Sequence, residues 1–244
     1  MLTIQLRMHC IVPEPVGQFH YSGDSGLDKP VRLHHDPSQC SLENVSMADH
    51  PLNIPPIGER VPRQGNAFTH WLGLRVLGWL GWKMEGEFPN LDKCVACVAP
   101  HTSNWDFVIA LATAFALRLK ISFLGKHSLF KGPLGWWMRR IGGIAVNRSS
   151  THGIVGQVSE QFAGQPMILG IAPEGTRKKV PEWKSGFLHI ARAANVPVLL
   201  IYLDYKKKVI GFGPAMEIGD DIAVEMAKIR SFYARVHARH PHLA

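Results

Sequence analysis

The segment Pro100-His101-Thr102-Ser103-Asn104-Trp105-Asp106 holds the residue types that a proton-transfer site needs. It follows an apolar, β-prone run, Lys93–Ala99, and precedes a second apolar run. Ser103 with Asp106 three residues later resembles a capping box that starts a helix. Such a start leaves His101 in the loop just outside the helix and puts Asp106 in its first turn, pointing back. A carboxylate there can accept a hydrogen bond from one imidazole nitrogen, fix the tautomer and stabilise the imidazolium. The other nitrogen is then free to act as a general base. On these residues alone, a plain helix cap beside an incidental histidine fits equally well.

Two further segments carry chemistry. Ile171-Ala172-Pro173-Glu174-Gly175-Thr176-Arg177 follows a strand-like run, and strand-end loops of α/β sheets are where ligands gather. Its Glu, Gly, Thr and Arg offer an acceptor, a flexible backbone, a hydroxyl and a planar anion-binding fork, with Lys178 and Lys179 behind. An ordinary turn would use the same residues. Gly142-Gly143-Ile144-Ala145-Val146-Asn147-Arg148 is again a strand ending on a cation. Upstream of it, Lys131 to Arg140 mixes Trp136 and Trp137 with Arg139 and Arg140, a composition suited to the headgroup region of a membrane. A core tryptophan pair flanked by solvated charges is the other reading.

Positioning these residues requires a sheet with helices on its faces. Strand-like runs at Lys93–Ala99, 121–124, 144–146, Met167–Ile171 and 196–203 alternate with helical runs at 68–82, 104–119, 134–141, 151–163, 184–195 and 221–238. A further strand, 209–212, could pair after the Lys206-Lys207-Lys208 turn. The expected class is α/β, with a mixed, mostly parallel central sheet flanked by helices and an N-terminal amphipathic helix for a membrane surface.

Composition narrows the function classes. In 244 residues with a net charge of +8, the longest stretch free of Asp, Glu, Lys and Arg is residues 161–173, too short for a spanning helix of about 18 or more. Residues 1–66 carry five Lys/Arg against seven Asp/Glu and eight of the 17 prolines, whereas all seven tryptophans lie later. That contrast divides the chain into a poorly ordered leader, 1–66, and a basic domain, 67–244. Met47 offers an alternative start to the chain. Cys94 and Cys97 sit in an apolar run where cysteine reads as a small buried hydrophobe, and Cys10 and Cys40 complete the set. No metal site is expected, and the thiols suit a reducing, cytoplasmic setting.

Together the segments resemble the glycerophospholipid acyltransferase family, which includes lysophosphatidic acid and glycerol-3-phosphate acyltransferases. The family's His-x-x-x-x-Asp matches His101 to Asp106, its Gly…Arg block Gly143 to Arg148, and its Pro-Glu-Gly-Thr-Arg block Pro173 to Arg177. Its Val-Pro strand matches Val196-Pro197-Val198. The blocks stand in family order within roughly residues 68–205. Pro100, Ala172 and Leu200 depart from the usual Asn, Phe and second Pro, which bears on the acceptor and acyl pockets rather than on the base.

The resemblance implies an acyl-CoA- or acyl-carrier-protein-dependent O-acyltransferase of phospholipid biosynthesis, transferring a fatty acyl group directly to the hydroxyl of a lysophospholipid such as lysophosphatidic acid. His101 and Asp106 would be catalytic. Arg148, Glu174, Gly175, Thr176 and Arg177 would bind the acceptor's phosphate or headgroup, with no cofactor and no metal. The expected partners are the lipid acceptor, the acyl thioester, acyl-carrier protein as one donor, and the membrane surface, on which the protein would lie monotopically at the cytoplasmic face of the inner membrane. Glycerol-3-phosphate and a non-phosphate lipid are the alternative acceptors. A basic nucleic-acid-binding protein is the rival class, and nucleic acid is not expected as a partner.

Overall fold

The structure is a computed structural model and describes residues 52–146 and 153–243. The expected leader up to residue 51, the alternative start at Met47, Cys10 and Cys40, and the Arg148 end of the third segment lie outside those residues.

Among the described residues, six α-helices and seven strands follow one another: α1 (Ala67–Leu80), β1 (Lys83–Glu85), β2 (Lys93–Ala99), α2 (Asn104–Ala116), β3 (Ile121–Lys126), α3 (Gly132–Arg140), β4 (Gly143–Val146), α4 (Gly153–Gly164), β5 (Met167–Ile171), α5 (Gly186–Ala194), β6 (Val198–Asp204), β7 (Val209–Met216) and α6 (Ile222–Tyr233). The strands form one sheet in the order β1-β7-β6-β2-β5-β3-β4. Among these seven strands, β6 and β7, joined by a tight turn, run antiparallel, and the other neighbours pair in parallel. The mixed, mostly parallel α/β sheet read from the sequence is therefore the observed fold. β2 lies at its centre, buried along nearly its whole length, between β5 and β6.

The sheet separates two apolar cores. One face packs Leu77 of α1 and Ile109, Ala112 and Ala116 of α2 over Cys94, Ile168 and Leu199. The other packs Val158 and Phe162 of α4, Leu188 of α5 and Ile229 of α6 over Cys97, Leu169 and Leu200. Cys94 and Cys97, three apart on a strand, point to opposite faces. Burial alone pushes the Cys94 thiol up to about 12, so both cysteines behave as small hydrophobes here.

Leu52, Ile54 and Val61, assigned to the leader on composition, are buried in the first core, so the packed body begins upstream of residue 66. α1 starts at a capping box between Asn66 and Thr69 and stops at Gly81, whose φ of 72° closes the helix. Trp82, expected on the helix, instead turns inward and is buried against Tyr205. α1 can lie close on α2 because Gly73 has no side chain: a Cβ there would come within 2.4 Å of the Ala116 backbone nitrogen. The opposite side of α1 leaves Phe68, Trp71 and Trp79 exposed, Trp79 to 84%. No helix among the described residues is long and apolar enough to cross a membrane.

Candidate active site

β2, β5 and β6 run parallel side by side, so their carboxyl ends open at one edge of the sheet. The loop after β2 carries His101, the loop after β5 carries Glu174, and β6 ends directly before Tyr205. Open α/β sheets bind ligands at such an edge.

The expected capping box is present. The Ser103 side chain caps α2, accepting from the Trp105 N–H at 3.2 Å, and the Ser103 N–H donates to Asp106 Oδ2 at 2.8 Å. Asp106 thereby points back out of the first turn, and His101 Nδ1 lies 3.2 Å from the same Oδ2. Asp106 is 2% exposed and the His101 side chain 26%. A buried acid thus faces one ring nitrogen while part of the imidazole meets the open site. The Tyr205 hydroxyl donates to the second oxygen, Asp106 Oδ1, at 2.5 Å. Burial pushes the Asp106 carboxyl up, but the hydrogen bonds from His101, Tyr205 and the Ser103 N–H outweigh it and hold the group below the usual carboxylate range.

Glu174 is also buried. Its Oε1 accepts from the backbone N–H of His101 at 3.0 Å, tying the β5 loop to the β2 loop. Its Oε2 is buried with no hydrogen-bond partner among the described residues. Burial pushes this carboxyl up, and the His101 N–H offsets only part of the shift. Gly175 makes the turn that follows: its φ is 63°, a conformation costly for side chains other than glycine.

Two cavities flank this loop. The first, about 610 Å³, is lined by His101 and Asp106 and then by apolar side chains along α2, including Phe107, Ala110, Leu111 and Phe115, with Ile121 and Phe123 of β3 opposite. From Phe107 to Phe115 it follows the helix for about 12 Å. The second is an open cleft of about 640 Å³ beside the start of α2. Thr176, Arg177 and Lys178 line one part of it, and His240 and His242 of the C-terminal segment another. Among the described residues, no Asp or Glu lines this cleft.

Of the residues singled out in the sequence, the structure brings His101, Asp106 and Glu174 into one hydrogen-bonded group. Thr176 and Arg177 lie in the neighbouring cleft, and Gly175 shapes the turn between. Sequence reasoning missed Tyr205, and it missed the C-terminal segment, which was expected to stay helical to Ala238. α6 ends at Tyr233, and the chain then docks on the site: the Tyr205 N–H donates to the His237 carbonyl at 2.9 Å, and the His240 N–H to Thr102 Oγ1 at 3.2 Å.

A histidine with a buried carboxylate behind it lies at the carboxyl edge of an α/β sheet, beside an apolar cavity and near a cleft lined by Arg177 and Lys178. The family model described as Acyltransferase matches residues 83–204, half of the chain. The chain belongs to that family, the glycerophospholipid acyltransferases that its sequence blocks resemble.

Among its relatives, the 1-acyl-sn-glycerol-3-phosphate acyltransferase of Escherichia coli (strain K12) is 29% identical over 150 residues, 57% of this chain and 60% of that protein. The protein of the same name from Streptococcus pneumoniae (strain ATCC BAA-255 / R6) is 29% identical over 174 residues, 63% and 64% of the two chains. The chain thus spans about three fifths of the length of the curated relatives it matches. The crystal structure of the 1-acyl-sn-glycerophosphate (LPA) acyltransferase PlsC from Thermotoga maritima aligns with a TM-score of 0.49 at 19% identity, covering 70% of this chain and 80% of that one.

Proposed function

We propose that the protein transfers a fatty acyl group from an acyl thioester, acyl-CoA or acyl-carrier protein, to the free hydroxyl of lysophosphatidic acid. The observation that carries this reading is the His101–Asp106 pair at the wall of an apolar cavity. With Nδ1 facing Asp106, His101 Nε2 takes the proton of the acceptor hydroxyl as its oxygen bonds to the thioester carbonyl carbon. The tetrahedral oxyanion collapses, the C–S bond breaks, and the imidazolium returns the proton to the departing thiolate. The transfer is direct, with no acyl-enzyme, and the step as proposed uses neither metal nor cofactor. Glu174 contributes by fixing the backbone at His101.

The first cavity would hold the acyl chain. Ala110→Leu fills part of it and is expected to shift the preferred donor to shorter chains, lowering kcat/KM for the longest ones about 10- to 200-fold. Competition between thioesters of graded length reads this directly, and an unchanged chain profile would put the acyl chain elsewhere.

The second cleft would hold the acceptor's phosphate, with Arg177 as its planar cation; Arg148, the further cation expected from the sequence, lies outside the described residues. Arg177→Ala is expected to raise the acceptor's KM about ten- to a hundredfold with kcat nearly kept, the loss of a charge-assisted bond shared by ground and transition states. An unchanged KM moves the phosphate site.

Phe68, Trp71 and Trp79 on α1 and Leu134, Trp136 and Trp137 on α3 are exposed, and Arg139 and Arg140 lie beside the latter. These faces support a monotopic seat on an anionic bilayer, at the cytoplasmic face of the inner membrane, from which the lipid acceptor enters sideways. Membranes containing the protein, supplied with labelled acyl thioester and a panel of acceptors, test the whole reading. Labelled phosphatidic acid is the expected product. Acylation of glycerol-3-phosphate or of a non-phosphate lipid instead would replace the acceptor, and no acyl transfer to any acceptor would end the reading.

A further inference from the structure

The Tyr205 hydroxyl touches the dyad from outside all four sequence blocks. It donates to Asp106 Oδ1 at 2.5 Å, while Oδ2 serves His101 and the Ser103 N–H. Tyr205 is itself held on three sides. Its ring meets Trp82 edge to face at 4.9 Å, its N–H is bound by the His237 carbonyl, and the Arg239 guanidinium lies 5.8 Å from its ring centre and 5.4 Å from that of Trp105. We propose that Tyr205 is a positioning residue for the general base: its hydroxyl locks the Asp106 carboxylate so that Oδ2 stays aimed at His101 Nδ1, an inference that rests on the acyl-transfer reading of that pair.

The physical reason is the freedom of a carboxylate about its last torsion, which is broad and nearly two-fold. A hydrogen bond on each oxygen removes that freedom, and it spreads the negative charge that would otherwise sit against the imidazole. Burial, and then the Asp106 carboxylate, push the Tyr205 hydroxyl well above its ordinary range, so it remains a donor throughout the pH range of activity. The titratable groups facing the pair are His101 and Glu174 from the loops after β2 and β5, and the Arg239 guanidinium faces it from the C-terminal segment.

Tyr205→Phe removes one oxygen and keeps the ring against Trp82. The expected result is a fall in kcat of about ten- to a hundredfold with the KM of both substrates nearly unchanged. The acid limb of the kcat–pH profile should also move to higher pH, because the carboxylate, less neutralised by the hydroxyl, favours the imidazolium. Replacing Tyr205 with 3-fluorotyrosine, a stronger donor of the same shape, should move that limb the opposite way. An unchanged kcat in Tyr205→Phe overturns the proposal. So does a kcat loss that merely follows a lowered melting temperature, with both limbs in place. If Tyr205→Phe does not fold, the fluorotyrosine protein decides, and an unmoved limb there overturns the proposal too. Full activity in His101→Ala would instead sink the acyl-transfer reading itself, whatever Tyr205 does.

Discussion

His101→Ala is expected to lower kcat for acyl transfer about a hundred- to ten-thousandfold, the usual contribution of a positioned general base. The substitution should leave the fold intact. His101 lies in a loop, its side chain is part exposed, and Asp106 keeps its bonds from Ser103 and Tyr205 when the imidazole is gone. The residual rate should then be nearly flat in pH across the region where imidazole titrates, because what remains comes from holding two substrates together. Acyl transfer at the wild-type rate by the alanine protein, with its melting temperature unchanged, would show that the proton goes elsewhere and would remove the mechanism. A rate lost together with the melting transition would call for His101→Gln, which fills the space without the base.

Local signals in the chain were enough for part of this site. The capping box spans three residues, and once Ser103 caps α2, Asp106 turns back toward the loop that holds His101, so spacing brings the two near each other but does not by itself separate a working pair from a plain helix cap. The bond from the His101 N–H to Glu174 joins residues 73 apart, and the bond from Tyr205 to Asp106 joins residues 99 apart. Each depends on β5 and β6 flanking β2 in one parallel sheet, a fact of strand order that periodicity does not encode. Tyr205 had one available signal, its place directly after a strand that ends at the same edge as His101.

The fold shows the same division. The longer runs were legible as helices and strands, whereas β1, three residues long, is too short to show a period. α6 was extended too far because the helical pattern continues to Ala238, and the chain gives it up for contacts with Asp204, Tyr205 and Thr102 that only the tertiary structure supplies. Composition separated a proline-rich leader from a tryptophan-bearing domain, yet Leu52, Ile54 and Val61 are spaced apolar residues among prolines whose burial depends on the distant face of the sheet.

Asp106→Asn is expected to cost about as much as removing the histidine, a fall in kcat approaching ten-thousandfold, because it acts on the tautomer. In the wild-type protein both carboxylate oxygens accept: Oδ1 from the tyrosine, Oδ2 from the Ser103 N–H and the imidazole. An amide has one accepting oxygen. If that oxygen stays with Tyr205, the amide NH2 meets the Ser103 N–H and can only donate to His101 Nδ1, which puts the imidazole proton on Nε2 and abolishes the base. If the oxygen faces Ser103 and His101 instead, the NH2 meets the half-buried tyrosine hydroxyl, which must turn from donor to acceptor, and the negative charge behind the imidazole is lost. Either way the substituted protein should melt lower and react slowly, and a nearly full rate would mean that Asp106 only caps α2. The same carboxylate sets an acid limit on stability. Its folded-state pKa lies below that of an ordinary aspartate, so ionised Asp106 contributes stability that is fully present above pH of about 4 and is lost as pH falls through the lower, folded value. The wild-type melting temperature should therefore drop on acidification below that point more steeply than that of Asp106→Asn, which has no proton to take up there. Parallel acid profiles for the two proteins would show that Asp106 is not held ionised by its three donors.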